Sequence, residues 1–242
     1  MTQAPASLDG PDRLDAALAR STGALLSAMA PEGHWVGELS SSALSTAVAT
    51  IALGTLDRAA NRQIHADLVH AGLRWLAGHV NADGGWGDTV RSRSNLSTTA
   101  LVWAAFGAAS ADDRYPDTMR RAQAWLDQNK GPHGRLTSAI EAAYGSDRTF
   151  SVPILMTMAL SGRLGPDGWR QVPGLPFELA AFPRSWFGAL QLPVVSYALP
   201  ALIAIGQVIH HHAPSRNPLA RFLRWMTTAP TLRTLETLQP PD

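Results

Sequence analysis

Cysteine is absent from the 242 residues, which excludes disulfides, thiolate zinc sites and cysteine nucleophiles. Charge is sparse: Lys+Arg 20 stand against Asp+Glu 19, 16% of the chain, for a net +1. The basic residues are spread along the chain, so no nucleic-acid partner is expected. No basic and then apolar leader opens the sequence; Met1 to Asp12 is small and polar and reads as a flexible N-terminus. Strand-like alternation and low-complexity tracts are both lacking. What the chain does have is 45% apolar residues and eight Trp, enough for a core and unlike a disordered polymer. One stretch, Trp186 to Ile209, is uncharged and long enough to cross a bilayer. Pro193 and Pro200 break it, and Gln191 and Gln207 would need partners in lipid, so a buried segment or a membrane-surface contact is expected instead.

A repeat organises the first two thirds. Leu25-Leu26, Trp75-Leu76 and Trp125-Leu126 recur about every fifty residues. Each pair ends a run with apolar residues three, four or seven apart: Leu14, Leu18, Leu25; then Ile64, Leu68, Gly72, Trp75; then Met119, Ala122, Trp125. That spacing predicts helices with one apolar face. A turn-rich loop follows each: Ala30-Pro31-Glu32-Gly33, Asn81-Ala82-Asp83-Gly84-Gly85 and Lys130-Gly131-Pro132-His133-Gly134. The first two loops deliver a tryptophan in matching form, Gly33-His34-Trp35-Val36-Gly37 and Gly84-Gly85-Trp86-Gly87. About ten residues later second helices begin with nearly the same letters, Leu44-Ser45-Thr46-Ala47 and Leu96-Ser97-Thr98-Thr99, with Ser42 and Asn95 as expected N-caps. The unit is helix, Gly-Trp loop, helix, and such a pair buries its apolar face only by stacking on neighbours.

The third unit is more divergent. Arg135 stands where the tryptophan would, Ala139 to Ala143 reads as an added helical turn, and a helix runs from Phe150 to Leu160 with Pro153 expected in its first turn. From Gly162 the chain turns Pro-rich, through Gly165-Pro166-Asp167-Gly168-Trp169 to Phe182-Pro183. A helix over Val194 to Ile209 with a kink at Pro200 is expected next, then a last amphipathic segment from Leu219 to Leu238. His210-His211-His212 ends the uncharged run. Three consecutive side chains point in different directions, so no metal is assigned to them.

With its Gly-Trp loops after aromatic-ended helices, the chain resembles the N-terminal part of the squalene–hopene cyclase and oxidosqualene cyclase family of triterpene cyclases, with their QW-type repeats. Matching stretches are Gly33-His34-Trp35-Val36-Gly37-Glu38-Leu39-Ser40, Asn81 to Trp86 with Leu96-Ser97-Thr98-Thr99, Arg148-Thr149-Phe150, and Val172-Pro173 to Pro176-Phe177-Glu178-Leu179. The resemblance implies an all-α fold, an α/α toroid of helical-hairpin repeats, here an incomplete barrel. The expected organisation is a flexible segment 1–12, a toroid domain 13–209, and a C-terminal helical segment 210–242 ending inside a repeat motif, Leu235 to Asp242. It also implies cyclisation of a squalene-type polyprenoid at the inner membrane face of the cytoplasm, without a cofactor.

Family cyclases protonate an alkene or epoxide with an aspartic acid in a D-x-D-D or D-C-T-A-E motif. Neither occurs in these residues, and Asp112-Asp113, the one adjacent acidic pair, reads as a solvated loop. No catalytic residue is therefore assigned, and a second chain carrying the acid is an expected partner. The substrate-facing candidates are Glu38, Arg148, Trp186, Phe187 and Tyr197. Trp169 and Phe177 join the last three as candidate walls of an apolar cavity, where aromatic faces would attract passing carbocations; core packing is the competing reading. Trp35 and Trp86 read as structural, because their setting repeats. Other α/α-toroid enzymes fit poorly: a zinc prenyltransferase site needs a Cys ligand, and Asp83, Asp88, Glu141 and Glu178 show no opposed pairing for glycoside hydrolysis. A helical-repeat scaffold or lipid-binding protein is the alternative function.

Overall fold

Apolar residues at helical spacing, bounded by Gly, Pro and capping side chains, form helices throughout: every regular element among the described residues is helical. The computed structural model describes residues 11–37, 39–145, 148–182 and 199–238, and the chain divides into two units, Met1–Ser40 and Ser41–Asp242. The all-α, helical-hairpin architecture agrees with the α/α toroid class that the family resemblance implies.

The first unit holds α1 (Pro11–Ser27) and its loop. Ala30 N–H donates to the His34 carbonyl at 2.8 Å and Gly33 N–H to the Ala30 carbonyl at 2.9 Å, closing the turn. Leu14, Leu18, Leu25 and Leu26 are all exposed.

In the second unit, α2 (Ala43–Ala59) packs on both α3 (Ala66–Gly78) and α4 (Leu96–Ala108). Both expected caps are present: Ser42 accepts from Ser45 N–H at 3.1 Å and Asn95 from Thr98 N–H at 2.9 Å, satisfying donors that the first helical turn leaves open. Gly72 lets α3 approach α2, since a Cβ there would lie 2.5 Å from Thr50 Oγ1. The turn between these helices is tied by Asp57, which accepts from the His65 backbone N–H at 2.9 Å and pairs with His65 Nδ1 at 2.8 Å.

Helix α4 is the centre of the core. Ala100, Val102, Ala104, Ala105 and Phe106 are fully buried, so it is apolar nearly all round, as a helix covered on several sides must be. It meets α5 (Pro116–Asn129), which starts at a proline, and α7 (Arg148–Leu160). The added turn expected at Ala139–Ala143 is a full helix, α6 (Leu136–Tyr144), packed on α7. Pro153 lies past the first turn of α7, because the helix begins at Arg148. It forgoes one backbone bond, and buried Val152, Ile154, Leu155 and Met158 hold the helix across it.

The late helix is described as α8, Leu199–His212; the expected start at Val194 and the turn before Pro200 lie outside the described residues. α9 (Pro218–Leu238) packs against α8 and contains Pro230. Gln207 donates to the Thr228 carbonyl at 3.1 Å and to Thr231 Oγ1 at 2.6 Å, the partners that residue needs.

Candidate functional site

The repeat loops explain why their tryptophans recur. Trp86 Nε1 donates to the Leu76 carbonyl at 2.9 Å, tying the loop to the end of α3. Its backbone N–H donates to Thr99 Oγ1 at 2.9 Å and its carbonyl accepts from Asn95 N–H at 3.0 Å, tying the same loop to the start of α4. Helix α5 then covers the loop. Trp125 Nε1 donates to Asp83 Oδ2 at 3.0 Å, and Arg121 donates to the carbonyls of Asn81 and Ala82 at 2.9 and 3.1 Å. Gly84 takes φ +95°, and a Cβ on Gly85 would lie 2.8 Å from Ser94 and 2.9 Å from Trp125. In the first unit, Trp35 Nε1 makes the equivalent bond to the Leu25 carbonyl at 2.6 Å. These indoles act as clamps, with their one polar hydrogen already used.

Two polar clasps join residues far apart in sequence, and sequence reasoning missed both. Arg163 lays its guanidinium over the Trp103 ring at 4.3 Å, donates to the Trp103 carbonyl, and holds Asp112 through two 2.7 Å bonds. The expectation of a simple solvated loop at Asp112-Asp113 is corrected accordingly: Asp112 is the anionic half of an ion pair. Glu178 pairs with Arg224 of α9 at 3.0 Å, with both side chains largely buried. No local motif signals either pair.

The substrate-facing candidates are placed as follows. Arg148 is the first residue of α7 and is exposed. Beside it Phe150 stacks on Tyr144, centroids 5.8 Å apart, and the Tyr144 hydroxyl shares a 2.7 Å hydrogen bond with Ser97 of α4. Glu38, Trp186, Phe187 and Tyr197 lie outside the described residues. Phe177 follows the competing reading. It is fully buried, with Gly206 pressed so close that a Cβ there would fall 2.8 Å from the Phe177 Cβ, so it belongs to the core and not to a cavity wall. Trp169 stacks on His212, centroids 4.2 Å apart.

Three carboxylates, Asp57, Asp83 and Asp127, are stabilised as anions. Burial pushes the Asp57 carboxyl up, but the hydrogen bonds and charge of His65 outweigh it and leave the pKa below the ordinary value of 3.8. At Asp83 the same opposition from burial is overcome by Ser94, Gly85 and Trp125. Lys130 and Gln123 lower Asp127. Burial depresses His210, reinforced by Arg224 and opposed by Glu178, and burial with His211 depresses His212, so both rings are neutral near pH 7.

A cavity of about 190 Å³ lies among Trp103, Leu126, Leu136, Met158 and Arg163. A larger cleft of about 430 Å³ lies between α8 and α9. Among the described residues, no group of three His, Cys, Asp or Glu is placed to hold a metal, and no helix is long and apolar enough to cross a membrane.

A family model described as squalene-hopene cyclase N-terminal domain matches residues 18–232, which takes in all three Gly-rich loops and most of α9. No solved structure matches the chain.

Proposed function

The chain belongs to the squalene-hopene cyclase family by its N-terminal domain, and from that premise we propose that it forms toroid wall and apolar cavity for the cyclisation of a squalene-type polyprenoid, while the initiating proton comes from outside these residues. The observation that carries the second half is electrostatic. An acid that protonates an alkene must hold its proton until the substrate arrives, which requires a carboxyl raised by burial without anion-stabilising donors. Each described carboxyl with a perturbed pKa is displaced the opposite way, by hydrogen bonds that stabilise the anion. None of the residues carries the D-x-D-D pattern either.

The proposed substrate-facing residues are Glu38, Arg148, Trp186, Phe187 and Tyr197. Their roles would be to orient the hydrocarbon, to exclude water that would quench a cation, and to place aromatic faces beside it, each worth about 0.5–2 kcal/mol. The partners are the polyprenoid, a membrane surface on the cytoplasmic side, and a polypeptide bearing the acid motif. Radiolabelled squalene tests this. Saturable retention by the chain, with turnover appearing only when a chain carrying D-x-D-D is added, is the expected result. Absence of retention, or retention without turnover in that mixture, would overturn it; the latter result would favour a lipid-binding scaffold.

A further inference from the structure

The cleft between α8 and α9 has a chemistry that a neutral hydrocarbon would not use. Its walls are His210, Pro214, Pro218, Arg221, Phe222 and Trp225, and its volume of about 430 Å³ is in the range of small-molecule sites. Phe222 and Trp225 are both exposed, their ring centroids 6.0 Å apart, and form an apolar side. Arg221 forms no ion pair among the described residues, whereas the nearby Arg224 is engaged by Glu178. From Leu199 to Leu235 the sequence holds Arg216, Arg221, Arg224 and Arg233 and no Asp or Glu, and Glu178, the acidic group acting on His210, is paired with Arg224, so the surroundings favour an anion.

His210 supplies the second, independent observation. Its Nδ1 is the one buried side-chain nitrogen or oxygen among the described residues that lacks a hydrogen-bond partner. The ring lies against Phe177, centroids 5.9 Å apart. A neutral imidazole nitrogen facing apolar atoms is least costly without its hydrogen, which puts the proton on Nε2. Both residues line the cleft, so Nε2–H and the Arg221 guanidinium are the two donors it can offer a ligand.

We propose that this cleft binds a single molecule of an anionic amphiphile, its charged oxygens against Arg221 and His210 and its hydrocarbon tail along Phe222 and Trp225. The cleft is proposed for an anion and not for the hydrocarbon, because a ligand without an oxyanion would leave both donors unpaired. It stands or falls independently of the cyclase reading.

Calorimetric titration of the full chain with dodecyl phosphate, kept below its micelle-forming concentration, tests the site. One molecule per chain is expected, with inorganic phosphate and dodecanol each bound about tenfold more weakly or worse, since each lacks one half of the recognition. R221Q and H210F are each expected to weaken dodecyl phosphate by about tenfold. H210Q, which restores a donor near Nε2, recovers part of the loss, and R233Q changes nothing. Equal losses in R221Q and R233Q, dodecanol binding as tight as dodecyl phosphate, or no effect of H210F would overturn the proposal. So would binding to phosphatidylglycerol vesicles with none to monomeric dodecyl phosphate, which would mark a membrane contact instead.

Discussion

The two Gly-Trp loops carry the same clamp in different surroundings. Trp35 and Trp86 each donate an indole hydrogen to a carbonyl ten residues earlier, at the end of the preceding helix. Trp86 is 1% exposed and Trp35 47%. The local motif is therefore sufficient to set the hydrogen bond, and within the second unit α5 adds burial by bringing Trp125 and Arg121 onto the loop. Glycine usage follows the same division. Gly33 and Gly84 both take positive φ, +82° and +95°, as the turn demands in either setting. The residue just before the tryptophan is Gly85 in the covered loop and His34, exposed, in the other.

The largest expected effect separates the two tryptophans. Trp86→Ala is expected to lose about 3–5 kcal/mol, the range for deleting a fully buried large aromatic, whereas Trp35→Ala loses about 1 kcal/mol, a hydrogen bond and partial burial; urea unfolding of the two variants measures the gap. Gly85→Ala comes next, at about 1–3 kcal/mol, because a methyl there meets Ser94 and Trp125. By contrast, His34→Ala should stay within about 0.5 kcal/mol. Comparable losses at Gly85 and His34 would erase the distinction between covered and uncovered loops.

The covered loop should also be acid-sensitive. Asp83 has a folded pKa below its ordinary 3.8, so its contribution is present above that value and is lost as pH falls through the lower folded value. Asp83→Asn is expected to flatten the acid limb of stability against pH and to cost about 1 kcal/mol at pH 7. The smallest difference concerns the caps. Asn95→Ala should cost about 1 kcal/mol or slightly more, since Asn95 also donates to Asp88 at 2.8 Å, and Ser42→Ala about 0.5–1 kcal/mol; thermal unfolding ranks them.

Legibility in the sequence followed the range of the interaction. Ser42 and Asn95 were readable as caps because a cap acts on donors two or three residues away. The helix–loop–helix repeat was readable because each unit restates it. Pro153 shows where local rules fall short: helix ends depend on burial, so α7 already includes Arg148 and places a proline in its interior. Arg163–Asp112 and Arg224–Glu178 span 51 and 46 residues, and no pattern of neighbours announces a pair at that separation. Phe177 was ambiguous between cavity and core, since an aromatic side chain serves either; the close approach of Gly206 decides for core. Of the five substrate-facing candidates, Arg148 is the one on described structure, exposed in α7.

The proton is the centre of the account, and the purified chain alone is the direct test of it. Incubated with squalene at neutral pH and extracted for mass-resolved gas chromatography, it should return only the linear hydrocarbon. A cyclised C30 product formed by this chain without any added protein would contradict the claim that the initiating acid comes from outside these residues.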